Sequence, residues 1–211
     1  MEVILDKESF EAGLKHIFNV DPDLQKYQSK LIDISYEINT FDFWSLVRVV
    51  VGQQLSGTAA RTIVQRISQI SGSIRDPEIF NSIKPEVLRA CGMSNQKVSF
   101  LLGISSMLKE NSTYFEDLER LDGNEMIEEL TKIKGIGPWS ATILAAFSAG
   151  KSDIMITGDV TINKVISCLY KTEINDDPKR LLSLVEHWKP FRSIGCMICY
   201  EIFDRKLLEL K

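Results

Sequence analysis

The chain has 211 residues, 44% hydrophobic and 26% charged, which is ordinary for a soluble globular protein of one large domain or two small lobes. Its apolar runs are too short to cross a bilayer, and residues 1–8 carry acids where a signal peptide carries bases, so we expect no membrane association and a cytoplasmic location. A formal net charge of −4 argues weakly against nucleic-acid binding, although the charges are unevenly distributed along the chain.

Helical signals dominate the first half of the chain. Apolar residues at helical spacing predict a helix over 8–17 with Ser9 as its N-cap, and Asp21 is predicted to cap a short helix over 24–27. The other helices of this half are predicted from apolar periodicity or from a proline at the first helical position. They cover 43–51, 58–70, the segments after Asp76 and Lys84, and 97–109. Residues 52–57, Gly-Gln-Gln-Leu-Ser-Gly, and 92–95, Gly-Met-Ser-Asn, interrupt this series.

The second half continues in the same way. Helices are predicted over 125–133, 139–149, 160–169, from Asp176 to Trp188, and over 191–209, with a short extended piece at 154–156. Asp159 and Thr157 are both candidate caps of the 160–169 helix. Because no alternating strand blocks repeat, we expect an all-α fold.

Three windows of the chain contain bases and no acid. They cover 43–75, 87–109 and 132–152, whereas 110–130 holds eight acids and a single arginine. One such window is common on any soluble surface, but three that each include a turn indicate a basic face.

Cys196 and Cys199 form a Cys-x-x-Cys pattern within an apolar run, while Cys91 and Cys168 lie far away in the sequence. At helical spacing the pair faces one side of a core, so we favour buried thiols over a structural metal or Fe–S site.

The segment Gly135-Ile136-Gly137 separates two predicted helices. Glycines allow a tight turn with outward N–H groups, and the helix that follows favours an anion at its N-terminus. Lys132 and Lys134 flank the turn in an acid-free window, which indicates a nucleic-acid phosphate as the anion. A plain helix–helix turn is the alternative.

Four segments together resemble the helix-hairpin-helix (HhH-GPD) DNA glycosylase superfamily, and within it the 3-methyladenine or alkylbase glycosylases. They are Gly-Ile-Gly-Pro-Trp-Ser-Ala at 135–141, Val-Gly-Gln-Gln-Leu-Ser at 51–56, Cys-Gly-Met-Ser-x-x-Lys at 91–97, and Trp-Lys-Pro-Phe-Arg-Ser at 188–193. The segments follow the family's order and cover roughly 43–200 of the chain.

The resemblance implies an all-α, two-lobed glycosylase fold with the active-site cleft between the lobes. A central lobe of 43–150 would carry the hairpin at 130–141, and 1–42 with 151–211 would form the second lobe. The chain resembles compact members without the extra N-terminal domain, and its cysteines do not reproduce the Fe–S loop of the endonuclease III-like branch.

By the same resemblance, the hairpin contacts DNA phosphates. Its implied DNA-binding residues are Lys134, Gly135, Gly137 and Ser140, and a monovalent cation is implied at the carbonyls of Thr131, Ile133 and Ile136. The 52–57 loop is implied to fill the gap left by a flipped nucleotide, with Gln53, Gln54 or Leu55 as the plug and Ser56 beside it. Glutamines that only cap a helix are the alternative. Lys97 is a candidate phosphate or structural contact.

Asp159 occupies the position of the superfamily's catalytic aspartate, although a simple helix cap is the alternative role. Trp139 stands where bifunctional members carry a nucleophilic lysine, which implies a monofunctional enzyme that uses water. Trp139 is also a candidate wall of the base pocket. Trp44, Phe43 and Phe18 are further pocket candidates, with ordinary core packing as the alternative for each.

The resemblance thus implies excision of N3- or N7-alkylated purines from duplex DNA by base flipping, leaving an abasic site. We expect a monomer that binds damaged DNA and needs no cofactor and no catalytic metal, located with the nucleoid in a prokaryote or in the nucleus of a eukaryote. A glycosylase for deaminated or oxidised purines and a non-catalytic damaged-DNA-binding module are the alternatives. Arg192 is a candidate phosphate or structural contact, and an arginine near the last helix more often binds a buried carboxylate or carbonyl. His16 and His187 are expected to be ordinary packing or surface residues.

Overall fold

The computed structural model describes residues 4–35, 40–70, 75–174 and 177–208. Regular structure in these ranges is helical, apart from one isolated antiparallel bridge between Ile4 and Lys151, so the predicted all-α class is confirmed. No helix in the described ranges is both long and apolar enough to cross a membrane.

The α-helices of the described ranges are, in chain order, α1 (Lys7–Val20), α2 (Pro22–Gln25), α3 (Phe43–Gly52), α4 (Gly57–Ser68), α5 (Pro77–Ser82), α6 (Pro85–Ala90), α7 (Asn95–Glu110), α8 (Tyr114–Glu119), α9 (Gly123–Thr131), α10 (Pro138–Ile143), α11 (Val160–Leu169), α12 (Pro178–Leu184) and α13 (Arg192–Asp204). Short 3₁₀ turns cover Gln28–Lys30 and Glu186–Trp188, and a π-helical turn at Leu144–Ser148 directly follows α10.

Most of these helices begin where a side chain accepts a backbone N–H or a proline takes the first position. The predicted cap at Asp21 is confirmed, as are the predicted helix starts with proline at the first position after Asp76 and Lys84. The predicted cap at Ser9 is wrong, because Asp6 caps α1 and Ser9 is the third helical residue of a capping box. The predicted helix ends at 71–72 and 209 and the predicted start at Asp176 lie outside the described residues.

Close contacts divide the chain into two compact units. We call 39–144 the hairpin unit, and 1–38 with 145–211 the terminal unit. These boundaries lie a few residues from the division at 43 and 150 that the sequence suggests.

In the hairpin unit, α3 is the central helix and packs against α4, α7 and α10. Its apolar side chains Leu46 and Val50 are fully buried, as are Leu101 of α7 and Leu130 of α9. Since α9 also packs against α10, the 52–57 loop after α3 and the glycine turn before α10 belong to one core.

In the terminal unit, α1 and α11 both pack against α13. A Cβ added at Gly195 of α13 would lie 2.2 Å from the indole of Trp188, so the helix reaches this ring only because residue 195 is glycine. This packing places the N-terminus of α11, where Asp159 lies, within reach of side chains on α13.

Candidate functional site

A sharp turn joins α9 to α10. Gly135 has a φ of +100°, a left-handed value that side-chain-bearing residues rarely adopt, and a Cβ added there would lie 2.4 Å from the Phe100 ring. The Ile136 N–H donates to the Ile133 carbonyl oxygen at 3.0 Å and closes the turn. A Cβ at Gly137 would meet nothing within 4 Å, so only Gly135 is sterically required to be glycine.

The turn also presents backbone donors. Within the described part of the chain, the N–H groups of Gly135 and Gly137 donate to no hydrogen-bond acceptor. Lys134 is exposed beside them, whereas the ammonium group of Lys132 forms an ion pair with Glu129. The two glycine N–H groups and Lys134 are therefore donors that this turn offers to an anion.

The side chain of Gln53 ties the 52–57 loop to this turn. Its Nε2 donates to the Gly135 carbonyl oxygen at 2.8 Å and to Ser140 Oγ at 3.0 Å. Ser140, a DNA contact by the family resemblance, is 3% exposed, and its hydroxyl is a buried partner of Gln53.

Lys97 holds the same loop from the other side. Its Nζ donates to the carbonyl oxygens of Val51 and Gln53, both at 2.8 Å, and burial lowers the pKa of this lysine. Of the two roles left open by the sequence, these contacts support the structural one.

The tip of the loop is exposed. Gln54 has a left-handed φ of +58° and an exposed side chain, and Leu55 is 41% exposed. Ser56 accepts the Ala59 N–H at 3.3 Å and caps α4. Because Gln53 is engaged within the unit, Gln54 and Leu55 are the residues of this loop that point away from the core.

Asp159 begins α11 in the terminal unit and is only 8% exposed. Its Oδ1 accepts the Ile162 N–H at 3.0 Å, so Asp159, and not Thr157, caps the helix. Its Oδ2 accepts the hydroxyl proton of Tyr200 at 2.9 Å. Each carboxylate oxygen thus has a donor that fixes it, and the helix-cap role coexists with a second contact that the sequence pattern did not reveal.

Tyr200 lies on α13 and is half-buried. Burial, followed by the charge of Asp159, raises the pKa of its phenol far above the ordinary value of 10.0, so the hydroxyl keeps its proton and remains a donor. The Phe147 ring packs edge-on against Tyr200, with centroids 6.0 Å apart.

The aromatic pocket candidates differ in exposure. Trp139, the second residue of α10, is 37% exposed, whereas Phe43, Trp44 and Phe18 are 2%, 6% and 5% exposed. Phe43 packs edge-on against Phe80 at a centroid distance of 5.1 Å, as a core residue does. Trp139 is therefore the most exposed of the four candidates.

A polar cluster in the terminal unit was not expected from the sequence. Asp21, 1% exposed, accepts hydrogen bonds through Oδ2 from the Tyr170 hydroxyl and from Trp188 Nε1 at 2.7 Å. His187 Nε2 lies 3.2 Å from the same oxygen, so this residue, expected to be an ordinary packing or surface residue, lies beside a buried carboxylate. In the sequence, Asp21 is 149 positions from Tyr170 and 167 positions from Trp188, so no local pattern predicts this cluster.

Two other predictions in this unit are confirmed. Arg192 binds the Asp153 carboxylate through Nε at 2.6 Å and through one terminal nitrogen at 3.0 Å. Cys196 and Cys199 are fully buried, and burial raises the pKa of the Cys196 thiol to about 12.

The chain is similar to known DNA repair proteins. Residues 47–190 match the family described as HhH-GPD superfamily base excision DNA repair protein. DNA-3-methyladenine glycosylase 1 of Schizosaccharomyces pombe is 34% identical over 151 residues, which are 70% of this chain and 66% of that protein. The chain thus spans just under two thirds of the length of this curated relative.

Two solved structures are also similar. The S. pombe 3-methyladenine DNA glycosylase (Mag1) in complex with abasic DNA has a TM-score of 0.77 and 29% identity, over 92% of this chain and 97% of that one. A DNA-3-methyladenine glycosidase from Bacillus halodurans has a TM-score of 0.73 and 28% identity, over 99% of this chain and 95% of that one. With the family match covering most of its length, the chain belongs to the HhH-GPD superfamily of base excision DNA repair proteins.

Proposed function

We propose that this protein is a monofunctional DNA glycosylase that hydrolyses the N-glycosidic bond of N3- or N7-alkylated purines in duplex DNA and leaves an abasic site. The names of its relatives, which are 3-methyladenine glycosylases, support the substrate class. The observation that carries the proposal is the carboxylate of Asp159, which stands at the family's catalytic position and is held through both oxygens by Ile162 N–H and Tyr200 Oη.

The hairpin unit supplies the contacts to the DNA backbone in this proposal. The N–H groups of Gly135 and Gly137 and the ammonium group of Lys134 bind phosphate oxygens. Such contacts carry no sequence information and position the protein on the duplex, as an enzyme that searches for rare lesions requires.

A monovalent cation at the hairpin is compatible with the residues present. The Ile133 carbonyl oxygen accepts one hydrogen bond, from Ile136 N–H, and a carbonyl oxygen has a second lone pair. The carbonyls of Thr131, Ile133 and Ile136 would hold the ion, and its positive charge would attract the phosphate.

The exposed tip of the 52–57 loop enters the minor groove and fills the space of the flipped nucleotide. Of the three plug candidates, Gln54 and Leu55 are exposed, and Leu55 has an apolar side chain of the kind that wedges between base steps. Gln53 and Lys97 hold the base of the loop in place through their contacts within the hairpin unit. Extrusion of a nucleotide costs about a few kcal/mol, so a rigid loop is needed to keep the gap open.

The chemistry is hydrolysis at C1′ of the flipped nucleotide. The C1′–N bond breaks with its electron pair going to the base, positive charge develops on the sugar, and the oxygen of water bonds to C1′ with loss of a proton. The negative carboxylate of Asp159 stabilises the developing charge and receives or directs the proton of the attacking water.

The alkylated base is a good leaving group because it carries a positive charge before cleavage and departs neutral. An aromatic face attracts such a cation by about 0.5–2 kcal/mol, and Trp139 is the exposed aromatic residue at the end of the hairpin. Because Trp139 occupies the position of the lysine nucleophile of bifunctional relatives, water is the nucleophile here and strand cleavage is not expected.

We further propose that the two units act together as one monomeric glycosylase unit on double-stranded DNA, without a cofactor, in the compartment that holds the genome. Size-exclusion chromatography with light scattering, alone and with a short duplex, tests the one-to-one stoichiometry.

The function is tested by incubating the protein with methylated duplex DNA and measuring released base separately from strand breaks. We expect 3-methyladenine in the supernatant and no nicking until alkali is added. Nicks without alkali contradict the monofunctional reaction. An absence of released base, with DNA binding intact, favours a damage-binding module.

A further inference from the structure

The contact between Tyr200 and Asp159 assigns a role to a residue that the family resemblance does not name. Resting on the proposed function, we propose that Tyr200 is a positioning residue, which fixes the plane of the Asp159 carboxylate so that its charge faces the reacting sugar. It acts through Asp159 and takes no part in bond making or breaking.

One hydrogen bond alone does not orient a carboxylate. A helix-cap contact from Ile162 N–H to Oδ1 fixes one oxygen, but the torsion that rotates a carboxylate about its Cβ–Cγ bond is broad and nearly two-fold. The second donor, Tyr200 Oη, reaches Oδ2 at 2.9 Å. Two donors from two different helices, α11 and α13, therefore define both the position and the plane of the group.

Tyr200 is itself held in place. Its neighbours on α13, Ile198, Cys199 and Ile202, are fully buried, and α13 packs against α11. The edge-on contact with the Phe147 ring restrains the phenol ring. The phenol also keeps its proton at any physiological pH, so it donates to Asp159 without a change in protonation state during the reaction.

Two further side chains of α13 beside the pair are uncharged. Burial raises the pKa values of the Cys196 and Cys199 thiols, so both keep their protons. Tyr200 itself contacts Asp159 as a neutral donor, so this contact orients the carboxylate and leaves its negative charge in place. A carboxylate whose task is to face a developing positive charge requires that charge.

The test is the variant Tyr200→Phe, which removes one hydroxyl and keeps the ring. Single-turnover excision of 3-methyladenine and affinity for abasic-site duplex are measured at a temperature well below the Tm of both the variant and the wild type. The Tm of each protein is measured separately by thermal unfolding. We expect the excision rate to fall about tenfold or more, the scale of a lost hydrogen bond to a charged group, with affinity unchanged within about twofold.

Tyr170→Phe is the matched control, because Tyr170 donates its hydroxyl to the Asp21 carboxylate in the same unit. It is expected to lower Tm while leaving the excision rate within about twofold of wild type. A Tyr200→Phe protein that excises at the wild-type rate overturns the positioning role. The positioning role is also overturned if the excision rate, the DNA affinity and the Tm of Tyr200→Phe all fall together, because replacing a residue that only supports the fold would have that effect. If the wild-type protein itself releases no base, the proposed function fails instead.

Discussion

The side-chain amide of Gln53 donates to the carbonyl oxygen of Gly135 at 2.8 Å, although 82 residues separate them in the chain. This hydrogen bond joins the loop proposed to enter the minor groove to the turn proposed to hold the phosphates. Ser140 and Lys97 complete the connection. The Ser140 hydroxyl accepts a second hydrogen bond from the Gln53 side chain, and Lys97 donates to the carbonyl oxygen of Gln53. The two segments proposed to contact DNA are therefore held in a fixed position relative to each other within the hairpin unit.

Gln53→Ala removes both side-chain hydrogen bonds of this connection. We expect the free energy of unfolding to fall by about 1–2 kcal/mol, because each bond is half-buried and its acceptors lose their partner. Urea unfolding measures the loss. Affinity for intact and for abasic-site duplex is expected to fall to a similar extent, since both the loop and the turn become mobile.

Gln54→Ala and Leu55→Ala, in contrast, change exposed side chains. We expect stability to stay within about 0.5 kcal/mol of wild type, while affinity for abasic-site duplex falls more than affinity for intact duplex. Fluorescence anisotropy with the two duplexes separates the cases. Equal losses on both duplexes, for either variant, argue against the gap-filling role.

Gly135→Ala is expected to be strongly destabilising. The positive φ disfavours any side chain, and the new Cβ would lie 2.4 Å from the Phe100 ring, which must then move. Together these effects cost about 2 kcal/mol or more in thermal or urea unfolding. Gly137→Ala is the control, because its Cβ would meet no atom within 4 Å, and it is expected to fold normally and to bind DNA. An equal effect of the two changes contradicts this account of the turn.

Asp159→Asn tests the proposed catalytic role of the carboxylate separately from its role as a helix cap. Asparagine is as good an N-cap as aspartate, so α11 is expected to keep its stability and the protein its DNA affinity. Loss of the negative charge is expected to reduce single-turnover excision by a factor of about 100 or more. Normal excision by this variant shows that Asp159 serves only as a cap.

Asp21 gives a prediction about pH. Burial opposes its ionisation, but hydrogen bonds from Tyr170, Trp188, Leu24 N–H and His187 outweigh that cost, so the pKa of Asp21 lies below its ordinary value of 3.8. A lowered folded-state pKa contributes stability that is fully present above about pH 4 and is lost as the pH falls through the folded value.

Asp21→Asn removes this contribution. At neutral pH we expect the variant to be less stable by about 1–3 kcal/mol, because a charged acceptor of several hydrogen bonds is lost. Urea unfolding between pH 7 and pH 3 should then show a smaller acid-induced loss for the variant than for wild type. Parallel pH curves for the two proteins contradict the assignment.

The sequence by itself determined the features of this protein that depend on residues close together in the chain. Helix periods, the cap at Asp21, prolines at first helical positions and the Gly-x-Gly turn depend on residues a few positions apart, and they indicated an all-helical fold. Asp159 was also named from the sequence, as a candidate helix cap because it precedes the 160–169 helix and as a candidate catalytic residue through the family resemblance.

Only the tertiary structure decided which side chains support that site. Lys97 reaches a loop 44 residues away and Gln53 a turn 82 residues away, and Tyr200 and Asp159 meet across 41 residues. No sequence pattern around Lys97, Gln53 or Tyr200 marks these contacts, and nothing in the sequence distinguishes Tyr200 from any other half-buried tyrosine. Hydrogen bonding between distant residues depends on how the helices pack, and packing is set by the whole core and not by the residues that happen to meet there.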